Sequence, residues 1–480
     1  MFVARETELQ TLERLYQQPS FQMAVVYGRR RVGKTALLDE FSKGKRTLFF
    51  TAQQKSNALN LRSFSRTVYE FFGLPTATGP FETWDAALSF VAAQAARQEK
   101  LLFVFDEFPY AAEAEPALPS ILQIAIDHAF LDTQVCMVLC GSNEGFMSSE
   151  VLGSKSPLYG RRTAQIRLQP FDYLDAARLL PAMTPQERIT YYGIFGGTPY
   201  YLRQIDAAET LEENVARLFF DISGVLYAEP QMLMRQELRE PAIYSSILDA
   251  VGSGAQTPKL IAERAGVDGR AVGRYLTTLV ELGLLEKTLP FGENPLTSRK
   301  GRYRIKDPFF AYWYRFVSPA IGAIEAGAGR AAAQQNAFGA ALATYTGGQF
   351  ERVCLQWAVR QNRQGKLPFL ATSFGAWWGG DPATREQADI DVVVSNKQAG
   401  QPNKQAGQLL VGECKWRNQF DETQALRDLE RRAQLLGEFN GRFYALFTKL
   451  PVSEGTAEKA AARDDLFVLS AADLFDELDG

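Results

Sequence analysis

Residues 28–35 read Gly-Arg-Arg-Arg-Val-Gly-Lys-Thr, and the run just before them, Met23-Ala24-Val25-Val26-Tyr27, is apolar and reads as a buried strand. The spacing is that of a phosphate-binding loop. Gly28 and Gly33 let the backbone turn so that its N–H groups, through Arg29, Arg30, Arg31 and Val32, face phosphate oxygens. The helix that follows, Ala36-Leu37-Leu38-Asp39-Glu40-Phe41, adds its N-terminal dipole. Lys34 supplies a point charge for the terminal phosphates, and Thr35 a hydroxyl ligand for Mg²⁺. Strand, loop and helix in this order imply a nucleoside triphosphate site.

Outward from this loop, strands and helices alternate. Thr47-Leu48-Phe49-Phe50-Thr51 is a second strand, helical stretches follow around 60–72 and 84–97, and Leu101-Leu102-Phe103-Val104-Phe105 ends in Asp106-Glu107. Such alternation implies an α/β fold, a parallel sheet covered on both faces. Asp106 is placed to meet Mg²⁺ through water, and Glu107 to orient and deprotonate the attacking water. The plainer alternative is a strand that merely stops at charged residues. A fourth strand, Val135-Cys136-Met137-Val138-Leu139-Cys140, ends at Gly141-Ser142-Asn143, and Ala164-Gln165-Ile166-Arg167-Leu168 is strand-like. Arg161 and Arg162 offer charge for a transferred phosphoryl group, or else form a solvated edge. Arg161 acting in trans would require a homo-oligomer.

A chain of 480 residues exceeds one core, so two to four domains are expected. Apolar residues make up 46% and charged residues 22%, the balance of a soluble globular protein. No apolar run reaches the ~18 residues of a membrane span, and Met1-Phe2-Val3-Ala4-Arg5-Glu6 lacks signal-peptide blocks, so a cytoplasmic location without membrane contact is expected. Cys136, Cys140, Cys354 and Cys414 show no paired-ligand spacing and read as reduced, buried thiols. The single histidine, His128, reads as structural. A net charge of −3 confines any nucleic-acid contact to a local basic patch.

The order of Phe2-Val3-Ala4-Arg5-Glu6, the phosphate loop, the Asp-Glu strand, Gly-Ser-Asn, Tyr159-Gly160-Arg161-Arg162 and Gly196-Gly197-Thr198-Pro199 resembles the archaeal-type ATPases, signal-transducing P-loop enzymes related to AAA+ proteins. That resemblance implies ATP and Mg as ligands, Ser142 as a sensor of the γ-phosphate, Arg5 and Glu6 near the adenine side, and Pro199 against the nucleotide. Two departures stand out: the start motif has Ala4 in place of glycine, and the sensor pair is Ser142-Asn143 in place of Ser-Ser. The likeness covers roughly the first half of the chain, with residues 1–235 expected to form the ATPase domain and its helical lid.

Residues 236–318 read as a winged-helix domain: Ile243–Val251 is helical, Thr257–Gly266 is a capped helix, Arg270–Leu282 is a third helix, and Gly283–Lys287 and Arg302–Ile305 make a hairpin. Arg299, Lys300, Arg302, Arg304 and Lys306 give it a local positive excess suited to phosphate backbone. Contact with DNA and packing as a lid both remain open for this plan. The Ala/Gly-rich residues 319–343 read as a linker, a weak helix or flexible joint.

In residues 344–480 four features recur in order: Glu351 on a helix, the strand-like Phe374–Trp378, then Asp391 in Ala388–Val394, and Glu413 with Lys415 in Leu409–Trp416. Residues two apart on a strand share a face, so Glu413 and Lys415 project together and Cys414 opposes them. Three carboxylates and a lysine can hold one or two Mg²⁺ ions, Asp391 and Glu413 foremost, and activate water for attack on a phosphodiester. The lysine would steady developing charge. The arrangement resembles the PD-(D/E)XK nuclease superfamily, specifically the restriction-endonuclease-like domain at the carboxyl end of this ATPase family. By that likeness Glu351, Asp391, Glu413 and Lys415 form the active-site set. Between the strands, Asn396–Gln401 repeats as Asn403–Gln408, a polar duplication expected at an exposed hairpin tip.

The expected whole is an ATP-hydrolysing, DNA-associated protein whose nucleotide state controls a Mg-dependent nuclease-like domain. The alternative is an ATP-driven signalling switch or transcription regulator whose last domain is catalytically inactive.

Overall fold

The computed structural model describes residues 2–75, 79–96, 100–382, 384–397 and 407–479. Most of the duplicated Asn396–Gln408 stretch, expected at a hairpin tip, lies outside the described residues. The chain divides into two compact units, one of residues 1–170 with Thr198–Tyr200, the other of Phe171–Gly197 with Tyr201–Gly480. No helix of the described residues is long and apolar enough to cross a membrane.

The first unit is built on five parallel strands: β1 (Gln22–Tyr27), β2 (Thr47–Thr51), β3 (Leu101–Asp106), β4 (Val135–Gly141) and β5 (Ala164–Arg167), in the order β2-β3-β4-β1-β5. Alternate residues of β1 and β3 feed two cores, one holding Met23, Val25, Phe103 and Phe105, the other Ala24, Val26, Leu102 and Val104. Burial of both faces is why these strands read as unbroken apolar runs. Helix α1 (Lys34–Ser42) leaves the phosphate loop at the carboxyl end of β1.

In the second unit, α2 (Pro185–Phe195) starts at a capping box made by Thr184 and Glu187. Helices α3 (Pro241–Gly252), α4 (Pro258–Ala265) and α5 (Val272–Glu281) precede an antiparallel hairpin of β6 (Leu285–Thr288) and β7 (Arg302–Ile305). Thr257 caps α4, and Gly266, at φ 66°, closes it, as the sequence anticipates. The stretch 319–343, expected as a weak helix or a flexible joint, is packed helix: Ile321–Glu325 and Gly329–Asn336 are helical, Ala333 and Ala337 are fully buried, and a Cβ on Gly329 would come within 1.9 Å of the Phe220 carbonyl oxygen. Small side chains there permit close packing; they do not signal slack.

Helix α6 (Gly339–Arg363) then leads to a second sheet of β8 (Ser373–Asp381), β9 (Glu386–Ser395), β10 (Gln408–Lys415), β11 (Gly441–Thr448) and β12 (Leu466–Ser470), ordered β12-β11-β10-β9-β8. The strands β8, β9 and β10 pair antiparallel, and β10, β11 and β12 pair parallel. Helix α7 (Glu422–Ala433) buries Leu426 and Leu429 against one face. Gly375 pairs with Val393 and Trp377 with Ile390, so Asp391 and Val392 together oppose Ala376. This β-bulge puts Ile390 and Val393, three apart, into the same core.

Candidate functional sites

The phosphate loop is held by contacts that only its own residue types allow. A Cβ on Gly28 would stand 2.3 Å from the Leu168 carbonyl oxygen, so β5 closes one wall of the loop against bare backbone. Gly33 takes φ 96°, and Pro199 packs 3.8 Å from where its Cβ would be. Arg5 braces the loop from outside, donating to the carbonyls of Val32 at 3.1 Å and Gln169 at 2.6 Å. Ala4 has φ 57°, the left-handed geometry for which glycine is better suited at this position. Arg30 donates to the Tyr110 hydroxyl, and Arg31 stacks 4.4 Å over the Tyr200 ring.

Lys34 folds back across its own loop, its Nζ donating to the carbonyls of Gly28 at 2.8 Å and Arg29 at 2.9 Å. Burial lowers its pKa, while the negative charge of Glu107, Asp106 and Glu144 works in the opposite sense. Thr35 Oγ1 lies 3.5 Å from Asp106 Oδ2. Burial raises the Asp106 pKa, and a hydrogen bond with the Cys140 thiol opposes that rise. Glu107 begins its helix in the left-handed region at φ 49°, which turns its amide to Asp106 Oδ1 at 3.0 Å. Its carboxylate accepts from the Ser142 hydroxyl and from the Ser142 amide, the latter at 3.3 Å. Ser142 therefore holds the Glu107 carboxylate, while Asn143 caps a short helix by accepting from the Phe146 amide at 2.9 Å. The Thr198 hydroxyl is buried without a protein partner among the described residues. Glycine cradle, lysine, threonine hydroxyl, aspartate and orphaned hydroxyl together fit a triphosphate and its Mg²⁺.

Two residues here were given no part in the nucleotide site from the sequence. Glu144 is buried and paired with Arg167 at 2.6 Å, and Cys140 touches Asp106. Only the strand order, with β4 beside both β3 and β1, reveals them. Arg161 donates from Nε and Nη2 to Asp127, at 2.8 and 2.7 Å, and from Nη1 to the Pro157 and Tyr159 carbonyls. Its fork is thus engaged within the chain, and Arg162 stacks 5.6 Å from the Tyr159 centroid.

In the second unit Glu351, Asp391, Glu413 and Lys415 meet. Lys415 is hydrogen-bonded to Glu413 Oε1, and Arg432 lies 3.4 Å from Glu413 Oε2. Asp391, re-aimed by its bulge, accepts from the Cys414 amide at 2.8 Å. The Glu351 carboxyl is pushed up to about 7, chiefly by burial, with Asp389 and Glu413 adding to it and Arg304 and Arg352 opposing. Asp391 is likewise raised, by burial and then by Glu351 and Glu413. Cys414 hydrogen-bonds with the Cys354 thiol of α6. The donors are hard oxygens of the kind Mg²⁺ prefers, although no group of three or more His, Cys, Asp or Glu side chains stands in metal-holding geometry among the described residues. Glu413 is paired with both Lys415 and Arg432.

The β6–β7 hairpin, whose basic residues left DNA contact and packing both open, is docked on the second sheet. The Phe291 amide donates to the Ala376 carbonyl on edge strand β8 at 2.9 Å, and Phe291 packs with Trp377 against that sheet's core. Arg302 stacks 4.6 Å over Trp378.

Comparison with known proteins matches two regions of the chain. Residues 2–205 match a family described as an ATPase domain predominantly from Archaea, and residues 313–427 match one described as archaeal and bacterial proteins of unknown function. An uncharacterized protein of Methanocaldococcus jannaschii is 30% identical over 454 residues, 94% of this chain and 96% of its own. An uncharacterized ATP-binding protein of the same organism is 46% identical over 46 residues, 10% of this chain and 78% of its own. Among solved structures, the Walker-type ATPase PABY2304 of Pyrococcus abyssi matches at 19% identity and TM-score 0.48, covering 65% of this chain and 96% of that one. The ORC2 protein of Aeropyrum pernix, in ADPNP–ADP complexes, matches at 16% identity and TM-score 0.40, covering 68% and 94%. With a glycine cradle, a buried lysine and an Asp-Glu pair at the end of β3, the chain belongs to the archaeal-type P-loop ATPases that carry this carboxyl-terminal domain of unknown function.

Proposed function

We propose that this ATPase associates with DNA and that its nucleotide state controls a Mg-dependent nuclease-like site formed by Glu351, Asp391, Glu413 and Lys415. The observation that carries the reading is the meeting of those four side chains, from α6, β9 and β10, with two carboxyls raised by burial and mutual repulsion. Carboxylates held together against their own repulsion favour a divalent cation. Bound Mg²⁺ would supply Lewis acidity and a more acidic water. Asp391 and Glu413 would hold it, Glu351 would complete the acidic pocket, and Lys415 would exchange its bond to Glu413 for the nucleophile or a phosphate oxygen.

In the first unit, Gly28 to Thr35 would bind the ATP phosphates, with Lys34 leaving the two loop carbonyls for the terminal phosphates. Thr35 and Asp106 would hold Mg²⁺, and Glu107, oriented by Ser142, would accept the proton of the attacking water. Pro199, beside Gly33, would report the nucleotide to the helices on either side of it in sequence. The three helices and hairpin at 241–305 follow the winged-helix plan, whose third helix α5 would face DNA.

The engagement of Glu413 by Lys415 and Arg432 favours a second reading, a nucleotide-driven regulator whose last domain binds without cutting. Purified protein incubated with DNA and Mg²⁺ or Mn²⁺ decides between them. Cleavage lost in Asp391→Ala and Lys415→Ala is the expected result; absence of cleavage with any DNA or RNA form would leave the regulator.

A further inference from the structure

Two arginines share one carboxylate beside Glu351. Glu286 Oε1, on β6, accepts from Arg304 Nε of β7 at 2.6 Å and from Arg352 Nη2 of α6 at 3.0 Å. Arg352 also donates to the carbonyls of Ile305 and Lys306, the latter at 3.1 Å, so it clamps the hairpin to the helix that carries Glu351. One carboxylate cannot neutralise two guanidiniums, and a positive charge is left over next to the acidic cluster. Arg304 is fixed by Nε alone: its Nη1 and Nη2 donate to nothing among the described residues, and its side chain is 37% exposed. Arg302, two residues earlier on β7, makes no ion pair among the described residues and lies flat on Trp378 of β8.

We propose that the hairpin is a wall of the carboxylate site, with Arg304 as the residue that binds a phosphodiester of the nucleic-acid strand held there and Arg302 on Trp378 as the next contact along that strand. The inference rests on the nucleic-acid reading above and assigns to the hairpin a role apart from gripping a duplex with α5. A guanidinium anchored at Nε presents its two outer nitrogens as a pre-oriented fork, the geometry that matches two phosphate oxygens. Residues 302 and 304 share a face of β7, so their heads follow one line, the spacing a backbone-tracking groove needs. The Trp378 ring beneath Arg302 adds a flat apolar surface beside that line. Arg304 also explains how three carboxylates can sit near a polyanion: its charge, beyond what Glu286 cancels, offsets theirs on the side where the strand would enter.

Fluorescence anisotropy with short labelled single-stranded and duplex DNA and RNA, in Ca²⁺ to bind without turnover, tests this at several salt concentrations. Arg304→Ala should weaken binding roughly tenfold, the scale of one charge-assisted contact. It should also flatten the plot of log affinity against log salt by about 0.7 for single strands or 0.9 for duplex, one phosphate's worth. Arg304→Lys should restore the slope. Arg302→Ala should flatten it similarly, and stands in if Arg304→Ala fails to fold. Unchanged affinity and slope in both alanine variants, with the unmutated protein binding, would overturn the proposal and leave the nucleic-acid reading intact. No binding by the unmutated protein would overturn both.

Discussion

Replacing Glu351 by Gln removes a titrating carboxyl while keeping the side chain's shape. Its carboxyl titrates near about 7 in the fold against an ordinary 4.5, with burial the leading cause. A folded-state pKa above the unfolded one means that protonation favours the fold: the benefit is complete below about 4.5 and is lost as pH rises through about 7. At ~1.36 kcal/mol per pH unit the gap sets a ceiling of about 3 kcal/mol. Because the Asp391 carboxyl is raised together with it, roughly 1–3 kcal/mol belongs to Glu351 itself. The second unit contains Trp313, Trp357, Trp377, Trp378 and Trp416, against Trp84 alone in the first, so tryptophan fluorescence reports the relevant unfolding. Without divalent metal, the midpoint of the unmutated protein should fall between about pH 5 and pH 8, and that of Glu351→Gln should fall less, by a few degrees. Mn²⁺ at about pH 8 should raise the midpoint of the unmutated protein more than that of the variant. Parallel pH curves for the two proteins would refute the claim that burial, with the acidic neighbours adding to it, raises the Glu351 carboxyl in the fold.

Other substitutions probe the first unit. Gly28→Ala drives a Cβ to 2.3 Å from the Leu168 carbonyl oxygen and should abolish nucleotide binding, with lowered stability in a melting scan; retained binding would mean the loop is not the site. Ser142→Ala removes the hydroxyl that orients the Glu107 carboxylate, leaving only the amide of residue 142, and should cut ATPase turnover about ten- to a hundredfold at similar ATP affinity, measured by phosphate release. Glu107→Gln should bind ATP and hydrolyse it at least a hundredfold more slowly. Arg161→Ala and Asp127→Ala should each cost about 1 kcal/mol or less through the lost pair. A loss of ATPase confined to Arg161→Ala is what a role across subunits would require.

The nucleotide site was legible because its determinants are local. Gly28, Gly33, Lys34 and Thr35 lie within eight residues, and the buried strands around them are unbroken apolar runs that any reading must place inside. Ser142 was legible as a polar residue at a strand end, but its grip on Glu107 depends on β4 lying beside β3, which pairing alone decides. The acidic site was legible residue by residue, not in its geometry. Strict alternation along 388–394 would put Ile390, Val392 and Val394 on one face; the bulge at Asp391 and Val392 breaks it, and four consecutive apolar or small positions give no local sign of where. The hairpin's docking was hidden for a different reason. Its arginines read as a local positive excess suited to phosphate backbone, since nothing in their own stretch announces Glu286, Arg352 and Trp378 as partners. The alanine-rich 319–343 stretch left helix and flexible joint both open, because small residues mark both slack chain and tight helix packing.

The most direct measurement is calorimetric titration of ATP, with Mg²⁺, into folded protein and into its Lys34→Ala variant. Saturable binding at one site per chain that disappears in the variant is expected from a lysine buried against its own loop carbonyls and aimed at that cradle. No heat from the unmutated protein, or equal binding by both, would contradict it.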